Sequence, residues 1–138
     1  MTFLRRPPQG VRTPKQRAGA AAEEAACRQL QAQGCSIVAR NVRFREGELD
    51  IVAREGTVLL FVEVRLRSDD RYGGAGASVD TFKRRRLLRA AQHFLLQHYG
   101  DGSTGGRRGN GWPACRFDVV TVDGDGVSEW IRDAFQAD

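Results

Sequence analysis

The 138-residue sequence contains no run approaching the roughly 18 apolar residues that a membrane helix needs. Its three cysteines, Cys27, Cys35 and Cys115, form no C-x-x-C pair, which argues against both a disulfide framework and a thiolate zinc site. The opening "MTFLRRPPQG" lacks the apolar centre of a signal peptide. These absences lead us to expect a soluble, unexported chain in a reducing cytoplasm. His93 and His98 are five apart on a helical segment, the wrong spacing to share a metal on one face. "GDGSTG" matches G-x-G-x-x-G but follows a helix instead of a strand, so a dinucleotide fingerprint is not expected.

Acids are missing from one end. The first 22 residues carry Arg5, Arg6, Arg12, Lys15 and Arg17 unopposed, whereas Asp118 to Asp138 holds six acids and only Arg132. The whole chain has 22 Lys and Arg against 17 Asp and Glu, a net charge of +5 that favours a polyanionic partner such as nucleic acid or an anionic membrane.

The length suits one domain. Residues 1–12 read as a disordered basic tail, residues 13–138 as the domain, and residues 100–114, with six glycines, as a flexible loop. "TPKQ" supplies Thr13 as N-cap, Pro14 at the first helical position and Gln16 to close a capping box, and the alanine-rich run that follows stops at Gly34. "SIVARNVRF", "GELDIVAR" and "TVLLFVEVRLR" read as three successive strands, the last two joined by a tight turn near Gly56. Ser78 to Tyr99 has helical spacing, and "CRFDVVTVD" and "VSEWI" return as strands. The order αβββαββ, with the last long strand available for parallel pairing, indicates an α/β or α+β sheet flanked by helices.

Glu48, Asp50 and Glu63 interrupt the apolar pattern of the strands. Glu23 falls on the helical stripe of Ala26, Cys27 and Leu30, whereas Glu24 is paired with Arg28 four residues on. Strict strand alternation puts Glu48, Asp50 and Val52 on one face against Leu49, Ile51 and Ala53, and puts Leu59, Phe61, Glu63 and Arg65 together on another. Asp50 and Glu63 side by side would repel unless a cation or hydrogen bonds intervene. A hard divalent cation such as Mg²⁺, held by Asp50, Glu63 and Glu23, resolves that repulsion, and Arg65 could then face a phosphate. Lys83 lies in the row of Leu87, Ala90 and Phe94 and leans towards the sheet. Arg84, Arg85 and Arg89 on that helix, with Arg107 and Arg108 in the glycine-rich loop, make a phosphate-contacting surface.

"GELD" followed by "FVEVR" resembles the D-x(n)-E-x-K core of the PD-(D/E)XK nuclease superfamily. The wider series of E-x-x-A, R-N, G-E-x-D and F-V-E-V-R, from about Gly19 to Phe135, resembles the YraN family of small bacterial proteins, which are similar to archaeal Holliday junction resolvases. The resemblance implies a restriction-endonuclease-like mixed β-sheet flanked by helices and Mg²⁺- or Mn²⁺-dependent cleavage of structured or branched DNA. It assigns Glu23, Asp50, Glu63 and Arg65 to catalysis, and the three acids among them to the metal, while the helical row of Lys83 makes it a candidate to supply the catalytic amine. It also implies a homodimer, because a four-way junction offers two equivalent strands to a two-fold enzyme. Arg65 stands where the superfamily has lysine, and an arginine always charged cannot act as a base. A binding module that kept the fold without the chemistry, or a ribonuclease on structured RNA, fits the same residues.

Overall fold

A computed structural model describes residues 13–67, 81–101 and 111–136. The expected basic tail, the first residues of the second helix and Arg107 and Arg108 lie outside them. The elements run α1 (Pro14–Ala32), β1 (Ser36–Phe44), β2 (Gly47–Glu55), β3 (Val58–Leu66), α2 (Thr81–Tyr99), β4 (Cys115–Asp123) and β5 (Gly126–Phe135).

Helix α1 begins as its sequence dictates. The Thr13 hydroxyl accepts from the Gln16 N–H at 3.1 Å, and the Thr13 N–H donates to the Gln16 side chain at 2.9 Å. At its end Gly34 takes a φ of 95° and the Cys35 N–H returns to the Leu30 carbonyl. That left-handed exit is inexpensive only for glycine.

The five strands form one sheet in chain order, with β3 and β4 parallel and the other neighbours antiparallel. Between β2 and β3 the chain reverses through a two-residue turn at Gly56, whose φ is 61°. Parallel strands need a crossover, and α2 lies in the one between β3 and β4. Helix α1 covers one face of the sheet through Ala22, Ala26, Cys27 and Leu30, packed on Ile51, Leu60, Val62 and Val120. Helix α2 covers the other through Leu87, Ala90, Phe94 and Leu95, packed on Leu49, Val52, Phe61 and Phe117. Each large apolar side chain buried this way contributes about 1.5–3 kcal/mol.

Two details depart from simple strand alternation. Strand β5 continues past "VSEWI" to Phe135, because Asp133 takes a positive φ of 53° and a register shift realigns Phe135 with Phe117. Leu49 packs with Val52 on the α2 side instead of with Ile51 and Ala53. The break is shared by β1, where Arg40, opposite Ile51, turns to α1 while Val42, opposite Leu49, turns to α2. Between them Asn41 has a φ of 53°, a conformation asparagine tolerates better than most residues.

Candidate active site

Alternation holds from Asp50 to Val52, so Asp50 faces α2 as Val52 does. The β2–β3 ladder runs to the Ile51–Val62 pair, and one step beyond it the Val64 N–H donates to Asp50 Oδ2 at 2.9 Å. A side-chain carboxylate therefore serves a strand N–H. Asp50 and Glu63 meet there and share a hydrogen bond.

Burial, followed by the charge of Glu63, pushes the Asp50 carboxyl up to about 8, against the pull of the Val64 N–H, and the charge of Glu23 raises it further. At neutral pH Asp50 therefore keeps a proton that it donates towards Glu63. Glu63 itself is 6 % exposed. Its Oε2 receives the Lys83 ammonium at 2.5 Å and lies 3.9 Å from Arg65 Nε. The row of Lys83 with Leu87, Ala90 and Phe94 does bring this amine to the sheet.

Packing at the end of the β1–β2 hairpin sets where α2 sits. A Cβ on Gly47 would lie 2.8 Å from the Arg86 carbonyl oxygen, so the backbones approach as closely as only glycine permits. Arg86 Nε donates to the Glu46 carbonyl at 3.0 Å, and His93 meets the Glu46 carboxylate at 3.0 Å while stacking on Phe44. These contacts hold the first turns of α2 over β2 and Lys83 over Glu63.

The result is an open cleft of about 530 Å³ lined by Glu48, Asp50, Glu63, Val64, Phe82, Lys83, Arg86 and Leu87. Glu23 acts on it from α1 through its charge and lies 3.9 Å from Arg40. Arg40 also binds Glu24 at 3.0 Å, and this pair holds the Glu24 carboxyl below its usual range. Among the described residues no three His, Cys, Asp or Glu side chains gather as a metal cluster, so the acids meet as a pair with Glu23 beyond them. Arg84, Arg85 and Arg89 are exposed on α2 but do not line the cleft, and the Arg84 guanidinium lies over the Phe135 ring at 5.4 Å. Sequence reasoning missed Arg86, although its position three residues after Lys83 places it on the same helical face.

Residues 22–122 match the model of the uncharacterised protein family UPF0102. The chain belongs to that family. It is 51% identical over 122 residues to a UPF0102 protein of Ralstonia nicotianae, covering 85% of each chain. A UPF0102 protein of Xanthomonas campestris pv. campestris is 48% identical over 125 residues, 90% of this chain and 95% of its own. One from Dechloromonas aromatica is 47% identical over 120 residues, 87% and 89% of the two chains. The UPF0102 match spans Glu23, Asp50, Glu63, Arg65 and Lys83.

Proposed function

We propose that this UPF0102 protein is a divalent-metal-dependent endonuclease with a restriction-endonuclease-like sheet, hydrolysing phosphodiesters in structured or branched DNA. The observation that carries this reading is the Asp50–Glu63 pair, buried yet at the wall of a cleft, with Asp50 kept protonated by burial and by the charge of Glu63 and a lysine ammonium beside them.

The donor set suits a hard cation. Mg²⁺ and Mn²⁺ accept one or two protein carboxylates and fill the remaining positions with water and substrate phosphate, so a two-acid site is sufficient. Asp50 and Glu63 would hold the ion, and a bound cation would offset both the burial and the Glu63 charge that keep a proton on Asp50. When bound it would polarise the phosphate and lower the pKa of an attacking water.

The chain's own groups do the rest. The Lys83 ammonium, already at Glu63, lies where it can donate to a phosphate oxygen or stabilise developing negative charge. Arg65, always charged, orients and stabilises but does not accept a proton. Arg86 lines the wall of the cleft as a phosphate contact that carries no sequence information. Lys83 thus supplies from a helix the amine that the E-x-K strand position lacks.

The test is a cleavage panel of labelled duplex, single-stranded and four-way-junction DNA and structured RNA with Mg²⁺ or Mn²⁺. Wild type should cut, and Glu63→Gln should bind the same substrates without cutting them. Absence of cleavage across the panel would leave a nucleic-acid-binding module, and cutting confined to RNA would make the protein a ribonuclease.

A further inference from the structure

Phe82 is 68 % exposed at the first turn of α2 and lines the cleft that holds Asp50, Glu63 and Lys83. Its outward position contributes little to the core, which α2 reaches through Leu87, Ala90, Phe94 and Leu95. Beside it, Arg86 is tethered by its Nε to the Glu46 carbonyl, with its guanidinium carbon 5.9 Å from the Phe82 ring centre. The cleft of the acids is therefore also lined by an aromatic ring with a tethered cation over it.

Such a pair has a chemical preference. Phosphate is recognised by the cation and gains nothing from a bare ring, whereas a nucleobase stacks on an aromatic face with a cation at its border. Inside a duplex both faces of each base are already covered by neighbouring pairs, so only an unstacked base can use the ring. Phe82 and Lys83 line the same cleft as the two acids, so a base on the ring would bring its own phosphate towards the ammonium and the acids.

We propose that Phe82 is a stacking platform for an unpaired nucleobase, so that the cleft takes nucleic acid at a single-stranded, splayed or branch-point nucleotide instead of a continuous duplex. This deepens the nuclease reading and rests on it for the role of the neighbouring phosphate, but the stacking itself is a binding property that can be measured without cleavage.

The experiment is fluorescence anisotropy without divalent metal, using three labelled probes of matched length: a single-stranded oligonucleotide, the same backbone with abasic sites, and a blunt duplex. Wild type should bind the base-containing strand on the order of tenfold tighter than the abasic one. Phe82→Ala should remove that preference and leave abasic and duplex binding unchanged, while Phe82→Trp restores it. Equal loss on all three probes, no loss on any, or no binding of any probe by wild type would overturn the proposal. Metal-dependent cleavage is scored separately: a cutting enzyme indifferent to Phe82→Ala keeps the nuclease reading and loses this one. A base preference that disappears in Phe82→Ala without cleavage does the reverse.

Discussion

Asp118 and Glu63 are buried acids one register step apart in the parallel β3–β4 ladder, where Val62 faces Asp118 and Glu63 faces Val119. Their surroundings differ in kind. Asp118, 0 % exposed, accepts two bonds from Arg116, one from the Trp130 indole and one from the Asp133 N–H, all at 2.9 Å. Arg116 also reaches Glu55, which binds Arg132, whose guanidinium lies 3.8 Å over the Trp130 ring. Asp118 does not line the open cleft that holds Glu63. Glu63 instead meets a second acid at the wall of an open cleft, with Lys83 coming from a helix held in place by tertiary packing. Burial alone therefore does not mark a site. An acid with a full set of framework donors is structural, whereas an acid that shares its burial with a second, protonated acid at an open cleft marks a candidate site.

The comparison breaks most visibly at its framework side. Asp118→Ala leaves the Arg116 guanidinium and the Trp130 indole without their buried acceptor, and should cost about 3–5 kcal/mol in urea unfolding. Cleavage per folded molecule should stay near wild type. A milder loss would mean that Glu55 and water take over the Arg116 donors.

Gly47→Ala probes the support beneath the site. The new methyl meets the Arg86 carbonyl at 2.8 Å, so α2 must shift, at about 1–3 kcal/mol. Because a displacement near 1 Å moves Lys83 off Glu63, cleavage should fall by about 100-fold. Wild-type activity in a folded Gly47→Ala protein would show that the Lys83 position is not critical.

Proton linkage separates the two regions without any ligand. Asp50 titrates near its ordinary value, about 3.9, when unfolded and at about 8 when folded. Below about pH 4 it is protonated in both states and costs nothing. From there to about 8 the unfolded chain releases a proton that the folded chain keeps, so stability falls as pH rises, at most by about 1.4 kcal/mol per unit. Asp50→Asn should flatten that slope in urea titrations across the range, and an unchanged slope would place the titration elsewhere.

The smallest expected effect belongs to the exposed helix face. Neutralising Arg84, Arg85 and Arg89 together should weaken binding to all sequences alike and reduce the salt slope by roughly one per lost phosphate contact. A sequence-dependent loss would make one of them a reader of bases.

Much of this architecture was legible in the sequence where physics is local. Thr13, Pro14, Gln16 and Gly34 fix both ends of α1 through capping chemistry, and the 3.6-residue row through Lys83, Leu87, Ala90 and Phe94 points the lysine at the sheet. The readings that failed or fell short depend on distant partners. Alternation misplaced Leu49 because it assumes an unbroken pleat, whereas Asn41 in a left-handed conformation on the neighbouring strand lets both strands change phase together. The sequence pattern ends strand β5 at Ile131 because nothing local announces that Asp133 bonds back to Asp118 and that pairing resumes at Phe135. The acids of the site could be found as strand positions spent on charge. That Asp50 would hold a proton could not, since it depends on burial and on Glu63 arriving from the next strand.

Asp50→Asn measured for stability and for cleavage in one preparation tests the central claim most directly. The substitution keeps an acceptor for the Val64 N–H and removes the carboxyl that must take up a proton on folding at neutral pH. At pH 7 to 8 the account predicts a higher urea midpoint, worth at least about 1 kcal/mol, together with loss of Mg²⁺- or Mn²⁺-dependent cleavage and retained DNA binding. A variant that unfolds as Asp118→Ala does, or that still cleaves at the wild-type rate, would contradict it.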